Sequence, residues 1–283
     1  MKSVIIKPKN ELLKKHIQYF LFFKKTDNHT LNYTTFPNSN LCLAIYRHNA
    51  IKYINNSDTN SCSITEGNKN FTSRFYGFHK MPFQVNIDSS LDQICIIFYP
   101  SALRAFTNES YADLMSSDTV FEEVFADKDA FFLEQIFEEN NLTKRAEKIE
   151  LLLLKNLKNE LPEKLREALY HIARHSHSEN LNIETLSKKL EISDTTLFRL
   201  FKNHLGQNTK SYLKTIRFRN TLDEILNLQN TLTAVAHFNQ YYDQAHFIND
   251  FKTFSGYSPK HLIDKVSVQQ NDLAWIYDKN NRE

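Results

Sequence analysis

Glycine is scarce in this 283-residue chain, with only four in all. No GxGxxG run and no P-loop ending in Gly-Lys-Ser or Gly-Lys-Thr can be written, so a glycine-rich loop that cradles a phosphate is excluded. Cysteine is nearly as rare: Cys42, Cys62 and Cys95 are odd in number, widely spaced and without a CxxC pair. That pattern argues against a disulfide framework or a cysteine zinc site and leads us to expect a reducing cytoplasm. Long apolar runs are missing too. Runs such as Tyr19–Phe23, Ile94–Tyr99 and Leu151–Leu154 reach six residues at most, far below the ~20 residues that cross a bilayer. Met1–Asn10 carries lysines but no apolar stretch before a small-residue cleavage site, so no secretion signal is expected. Neither GxSxG nor HExxH occurs, and Cys42 and Cys95 lie within apolar strand-like runs, where thiols are inert. We expect no enzyme, no cofactor and no membrane partner.

What is present is ordinary globular material: 41% hydrophobic and 24% charged residues, with a net charge of +2 that is uninformative until divided by region. The length suits two domains. Composition changes near residue 140. Before it, Tyr19–Phe23, Leu41–Tyr46, Phe71–Phe78 and Gln93–Tyr99 read as strands, rich in β-branched and aromatic residues and separated by Asn, Ser, Asp and Pro clusters. Asn55–Ser63 reads as a polar loop. Ser101–Phe106 looks like the first turns of a helix, and Asp127–Phe137 and Lys144–Leu157 are helical by apolar spacing. From Leu161 the pattern is almost all helix: Pro162–His175, Ile183–Leu190, Thr195–His204, Thr209–Leu226, Leu232–Phe238, Gln244–Phe254 and Pro259–Asp264. The expected fold class is α+β: a β-rich N-terminal domain with helices over 1–157, an all-α domain over 161–264, and a loose polar tail over 265–283.

One arrangement occurs twice in the helical third. Ile183–Leu190, a tight connection at Glu191–Ser193 and Asp194–Leu205 form the first copy. Leu232–Phe238, Asn239–Tyr242 and Asp243–Phe254 form the second. Short helices joined by a three- or four-residue turn cross steeply, so the second helix projects and can enter a major groove. Ser193 or Asp194 can cap the first projecting helix and Asp243 the second. On the first, Leu197, Leu200, Phe201 and Leu205 share the inner face, leaving Thr195, Thr196, Phe198, Arg199 and Lys202 on or beside the outer one. On the second, Phe247, Phe251 and Phe254 point inward, and Gln244, Ala245, Ile248, Asn249 and Lys252 outward. A helical hairpin inside a purely structural bundle would look the same in a single copy.

The runs LSKKLEISDTTLFRLFKNHLGQNTKSYLKTIRFRNTLDEIL (Leu186–Leu226) and VAHFNQYYDQAHFINDFKTFSGYSP (Val235–Pro259) resemble the DNA-binding domain of AraC/XylS-type transcription regulators. The second is close to that family's pattern in V-A, D-Q-A-H-F, F-K and G-Y-S-P. The resemblance implies two helix-turn-helix units joined by one long helix, Thr209–Leu226, reading consecutive major grooves about one helical turn (~34 Å) apart. It also implies base contacts from Thr195, Phe198 and Arg199 in the first unit and from Gln244, Ala245, Ile248 and Asn249 in the second. Arg199 suits guanine, Gln244 or Asn249 adenine, and Phe198 or Ile248 a thymine methyl. Phosphate contacts are expected from Thr196, Lys202, Lys210, Lys214, Arg217 and Lys252. Double-stranded DNA is the expected partner, with a small-molecule effector, a homodimer mate and RNA polymerase as further candidates.

Two departures stand out. Glycine is frequent in each turn of that family, whereas this chain has Glu191 and Gln240; a left-handed residue there costs ~1 kcal/mol or more, which favours another turn geometry. Charge is also uneven. Asn180–Asn220 holds eight basic and three acidic residues, net +5, while Thr221–Asp264 holds two basic and five acidic, net −3. The first unit should therefore supply most of the phosphate attraction.

The N-terminal half says less. YTTFPNSNLCLAIY (Tyr33–Tyr46), YGFHKMPFQV (Tyr76–Val85) and IIFYPSALRAF (Ile96–Phe106) resemble a β-rich domain carried by some of these regulators, which implies sensing of a small molecule or self-association. Lys144–Leu157 suits either a dimer helix or packing on the sheet. His171, His175 and His177 cluster at a helix end, but without a third ligand of suitable spacing a metal is not expected. The competing functions are an enzyme built on a β-barrel pocket and a protein-assembly module, each with an appended helical domain.

Overall fold

The computed structural model describes residues 1–125, 131–175, 182–227, 231–239, 241–270 and 273–277. Among them lie β1 (Lys2–Ile6), β2 (Ile17–Lys25), β3 (Leu31–Thr35), β4 (Leu41–Asn55), β5 (Asn60–Tyr76), β6 (Phe83–Ile87) and β7 (Leu91–Phe98). Four helices follow: α1 (Tyr111–Ser116), α2 (Val120–Phe125), α3 (Phe132–Glu138) and α4 (Leu142–Lys155). With two late strands the sheet has the order β1-β2-β7-β4-β5-β6-β3-β9-β8. Every pairing in it is antiparallel except β5 with β6. The architecture is thus α+β, a curled β-rich half with helices followed by a helical half.

The middle strands are apolar almost without alternation because both faces of the sheet are covered. Phe20, Phe22, Leu43, Ile45, Ile94 and Ile96 pack against α1–α4 on one face. Tyr19, Leu21, Phe23, Tyr46, Cys95 and Ile97 point the other way into the concave interior. The polar loop expected over Asn55–Ser63 is instead mostly strand: Asn55 pairs with Asn60, and only Asn56–Thr59 turn. The side chain of Asn56 makes that turn by accepting from the N–H groups of Asp58 and Thr59 at 2.9 and 2.8 Å. Ladder hydrogen bonds need no apolar side chains, so a polar hairpin end was invisible to a hydrophobic pattern. Ser101–Phe106 holds a short 3-10 turn, Ala102–Ala105, instead of a longer helix. In Asp127–Phe137, residues 126–130 lie outside the described set and α3 begins at Phe132.

The choice left open for the Lys144–Leu157 helix resolves as packing on the sheet. Ala146, Ile149, Leu152 and Leu153 of α4 are buried against it. Arg145, only 2% exposed, forks onto both oxygens of Asp92 at 2.8 and 3.1 Å, at the start of β7. Glu150 accepts from the backbone N–H groups of Lys9 and Asn10, both at 2.9 Å.

The helical half contains α5 (Glu163–His175), α6 (Ile183–Lys189), α7 (Asp194–Leu205), α8 (Thr209–Leu226), α9 (Leu232–Phe238), α10 (Gln244–Ser255) and α11 (Pro259–Ile263). None of the described helices is long and apolar enough to cross a membrane. The chain then returns to the sheet. Instead of a loose tail, it forms β8 (Val268–Gln270) and β9 (Leu273–Tyr277), with β9 pairing antiparallel to β3. The four-residue run Ala274–Tyr277 works as a two-faced strand: Trp275 joins the concave interior, while Ala274 and Ile276 join the core of the helical half.

Candidate DNA-binding surface

The first unit is α6 and α7. Asn182 and Thr185 form a capping box at the start of α6. Asp194 and Ser187 are hydrogen-bonded across the turn. Glu191 adopts φ 55°, so the left-handed turn survives without glycine; the different geometry expected from the missing glycine does not occur. The N–H of Ile192 donates to the Ser187 carbonyl at 3.1 Å and closes the turn. Ser193 caps α7, accepting from the Thr196 N–H at 3.1 Å. Leu197, Phe201 and Leu205 are buried with Leu186, Leu190 and α5 residues Leu165, Ala168 and Ile172. Leu200, expected inside, is only half-buried. The opposite face exposes Thr195, Arg199, Lys202 and Phe198, with Thr196 half-buried beside the cap. Phe198 is 49% exposed, and it shares a shallow depression with Thr195 and Lys210.

The second unit is α9 and α10, with Gln240 of its turn outside the described residues. Asp243 caps α10, accepting from the His246 N–H at 2.7 Å. Phe247, Phe251 and Phe254 are buried, and Phe254 stacks on Phe218 of α8 with centroids 5.0 Å apart. Gln244, Ala245, Asn249 and Lys252 are exposed. Ile248 is half-buried and leans on the core, so its place on the outer face is only partial. Asp250, which would oppose a phosphate, turns inward and accepts from Lys214 Nζ at 3.0 Å. Lys214 is thereby tied to α10, and the Arg217 guanidinium lies over the Tyr241 ring at 5.2 Å. Two of the basic residues nominated for phosphate therefore have partners inside the protein. The turn also offers residues that the sequence reading passed over. Tyr242 is 93% exposed and Phe238 is 54% exposed. The only signal for them was a Tyr-Tyr pair in a turn, of which Tyr241 is the buried member.

Helix α8 builds both units. Tyr212 belongs to the first core and Phe218, Leu222 and Ile225 to the second, so one rigid rod fixes their separation. Each projecting helix ends on a left-handed glycine, Gly206 at φ 75° and Gly256 at φ 73°. Each glycine abuts the N-terminal half: a Cβ at Gly206 would lie 3.0 Å from the Tyr111 ring, and one at Gly256 would lie 3.3 Å from Pro82. The Tyr111 hydroxyl donates to the His204 carbonyl at 2.7 Å. Burial, with Arg104 nearby, lowers the His204 pKa. The readers are thus gripped at their C-terminal ends and free at their N-terminal ends, the ends that meet base edges in this motif. At the close of α5 the His171 and His175 rings lie 6.0 Å apart; His177 is outside the described residues.

The chain is similar to several solved structures. It is 24% identical to the C-terminal domain of AraT, a response regulator from Geobacillus stearothermophilus, over 40% of this chain and 93% of that one (TM-score 0.37). It is 21% identical to the DNA-binding domain of AdpA, a global transcriptional factor solved with a target DNA, over 36% of this chain and 92% of that one (TM-score 0.34). Against ToxT from Vibrio cholerae the identity is 10%, over 88% of this chain and 98% of that one (TM-score 0.45). No curated protein matches the sequence. Residues 5–119 match a family described as a domain of unknown function (DUF6597). Residues 186–265, which run from within α6 through α11 and include the linking helix, match the family described as a helix-turn-helix domain. That region therefore carries a helix-turn-helix domain.

Proposed function

We propose that this chain is an AraC-type transcription regulator that reads a specific duplex with α7 and α10 in consecutive major grooves, and that its N-terminal half modulates this by sensing a small molecule. One observation carries the reading: both readers are held at their C-terminal glycines, and Thr195, Arg199, Gln244 and Asn249 are exposed on their outer faces. In this reading Arg199 forks onto a guanine, Gln244 or Asn249 onto an adenine, and Phe198 meets a thymine methyl. Thr195 and Ala245 sit beside them at the leading ends of the two helices. Lys202, Lys210 and Lys252 are exposed and available to phosphate oxygens, with Thr196 beside them. The net +5 over Asn180–Asn220, the first unit with most of its linking helix, makes that part the main source of affinity, and the second unit supplies register.

The test is alanine at Arg199 against the preferred duplex and its single-base variants. Loss of about 1–3 kcal/mol on the preferred site, with relaxed choice at one base pair, supports base reading. Equal weakening on every sequence contradicts it.

A further inference from the structure

The concave side of the sheet encloses a cavity of about 130 Å³. An apolar protein cavity of ~150 Å³ takes benzene, so the space fits one ring. Among the described residues its wall contains no Asp, Glu, Lys or Arg, and all three cysteines of the chain contribute to it. The hydroxyls of Tyr46 and Tyr76 satisfy each other at 2.9 Å, and the Cys62 thiol meets Tyr76 at 3.3 Å. His79 is different: it lines the cavity with a buried Nδ1 that has no hydrogen-bond partner among the described residues. Burial pulls its pKa to about 4, so the ring is neutral at physiological pH. A charged ligand would lose its hydration here without a counter-charge, whereas a neutral ring with one hydroxyl or N–H finds both its packing and its partner.

Two cavity residues also reach the second reading unit. Trp275 of β9 forms part of the wall, 5% exposed, with its ring edge-on to Phe23 at 6.2 Å. Its strand neighbours Ala274 and Ile276 point to the other side, into the core that holds Phe247, Phe251 and Phe254 of α10. Phe36 lines the cavity and packs into that same core. The register of β9 with β3 is three pairs, Tyr33 with Tyr277, Thr34 with Ile276 and Thr35 with Trp275, and its other edge pairs with β8 alone.

We infer that this cavity binds a small neutral single-ring molecule with one hydrogen-bonding group, and that β9 carries its occupancy to the second helix-turn-helix unit. The inference rests on reading the N-terminal half as a sensor, and it names the ligand class and the moving part. A ligand shifts an equilibrium only through contacts that differ between the states. The contact with Trp275 exists only while β9 is docked, so occupancy favours the docked strand and a fixed α10.

Trp275 is the only tryptophan in the chain, so its fluorescence reports the cavity directly. The full chain is titrated with phenol, and with benzoate as the charged counterpart. Phenol is expected to change the emission saturably, with benzoate inert. With phenol at about ten times its dissociation constant, amide exchange in Ala274–Tyr277 and α10 is expected to slow about tenfold. Ile276→Asp is expected to keep the phenol response of Trp275 and lose the slowing in α10; if that variant does not fold, Ile276→Ala is expected to diminish it. No saturable phenol response, or an equal benzoate response, overturns the ligand class. A phenol response with unchanged exchange in α10 overturns the role of β9. Duplex binding measured alongside separates the two readings: exchange protection without any duplex binding sinks the DNA reading alone, and duplex binding without a phenol response sinks this one alone.

Discussion

At the scale of single residues, Glu191 is the clearest departure from the simplest design. It holds φ 55° in the turn of the first unit, where a side chain is strained and glycine is not. Glu191→Gly is expected to raise stability by about 1 kcal/mol, read as an upward shift of the denaturation midpoint with duplex specificity unchanged. An unchanged or lowered midpoint would show that the turn carries no such strain. The sequence displayed the missing glycine but not its outcome, because the contacts that hold the turn, Ser187 with Asp194 and the Ile192 N–H with the Ser187 carbonyl, reach back across it. His79 offers a second test. Its pKa in the fold is about 4 against 6.5 when exposed, so between these values the unfolded chain binds a proton that the folded chain refuses. Its contribution to stability is intact above pH 6.5 and is lost as pH falls, at up to about 1.4 kcal/mol per pH unit. His79→Leu should flatten the stability profile in this window relative to the parent, and parallel profiles would exclude the role. His16 and His204 are shifted in the same direction, also by burial, so the comparison with the variant is needed to isolate His79.

At the scale of elements, the helices of the C-terminal half were legible nearly residue by residue. The spacing of Thr209–Leu226 and Leu232–Phe238 matches α8 and α9 end for end because each has one clear apolar stripe and a polar cap, Asn208 and Thr231. The missed elements are those whose stability is not local. β9 is five residues long, and it is a strand because β3 and two separate cores flank it. The expectation for phosphate contacts can be refined in the same way. Lys210 is exposed, whereas Lys214 is joined to Asp250. Lys210→Ala is expected to lower the slope of log affinity against log salt by about 1. Lys214→Ala is expected to leave that slope unchanged and to destabilise the second unit, since Asp250 is 90% covered and would lose its counter-charge. The reverse pattern of slopes would move the phosphate contact to Lys214. On α4, Arg145→Ala should cost about 3–5 kcal/mol by stranding Asp92, measured by chemical denaturation; a cost below 1 kcal/mol would show that the pair does not clamp α4 to β7.

At the scale of the whole molecule, the two halves share their interior. Phe36 and β9 from the sheet side complete the core of the second unit, while Tyr111 and Pro82 meet the ends of both reading helices. The reading units are therefore held as a pair by α8 and by the N-terminal half together. That arrangement predicts one rigid footprint in place of two independent half-sites. The most direct measurement is selection of bound duplexes from a random pool with the full chain. Two short motifs at a fixed spacing of about ten base pairs are predicted, with one of them relaxed at a single base pair in Arg199→Ala. A single motif, or two motifs at freely varying separation, would contradict a rigidly bridged pair reading one face of the duplex.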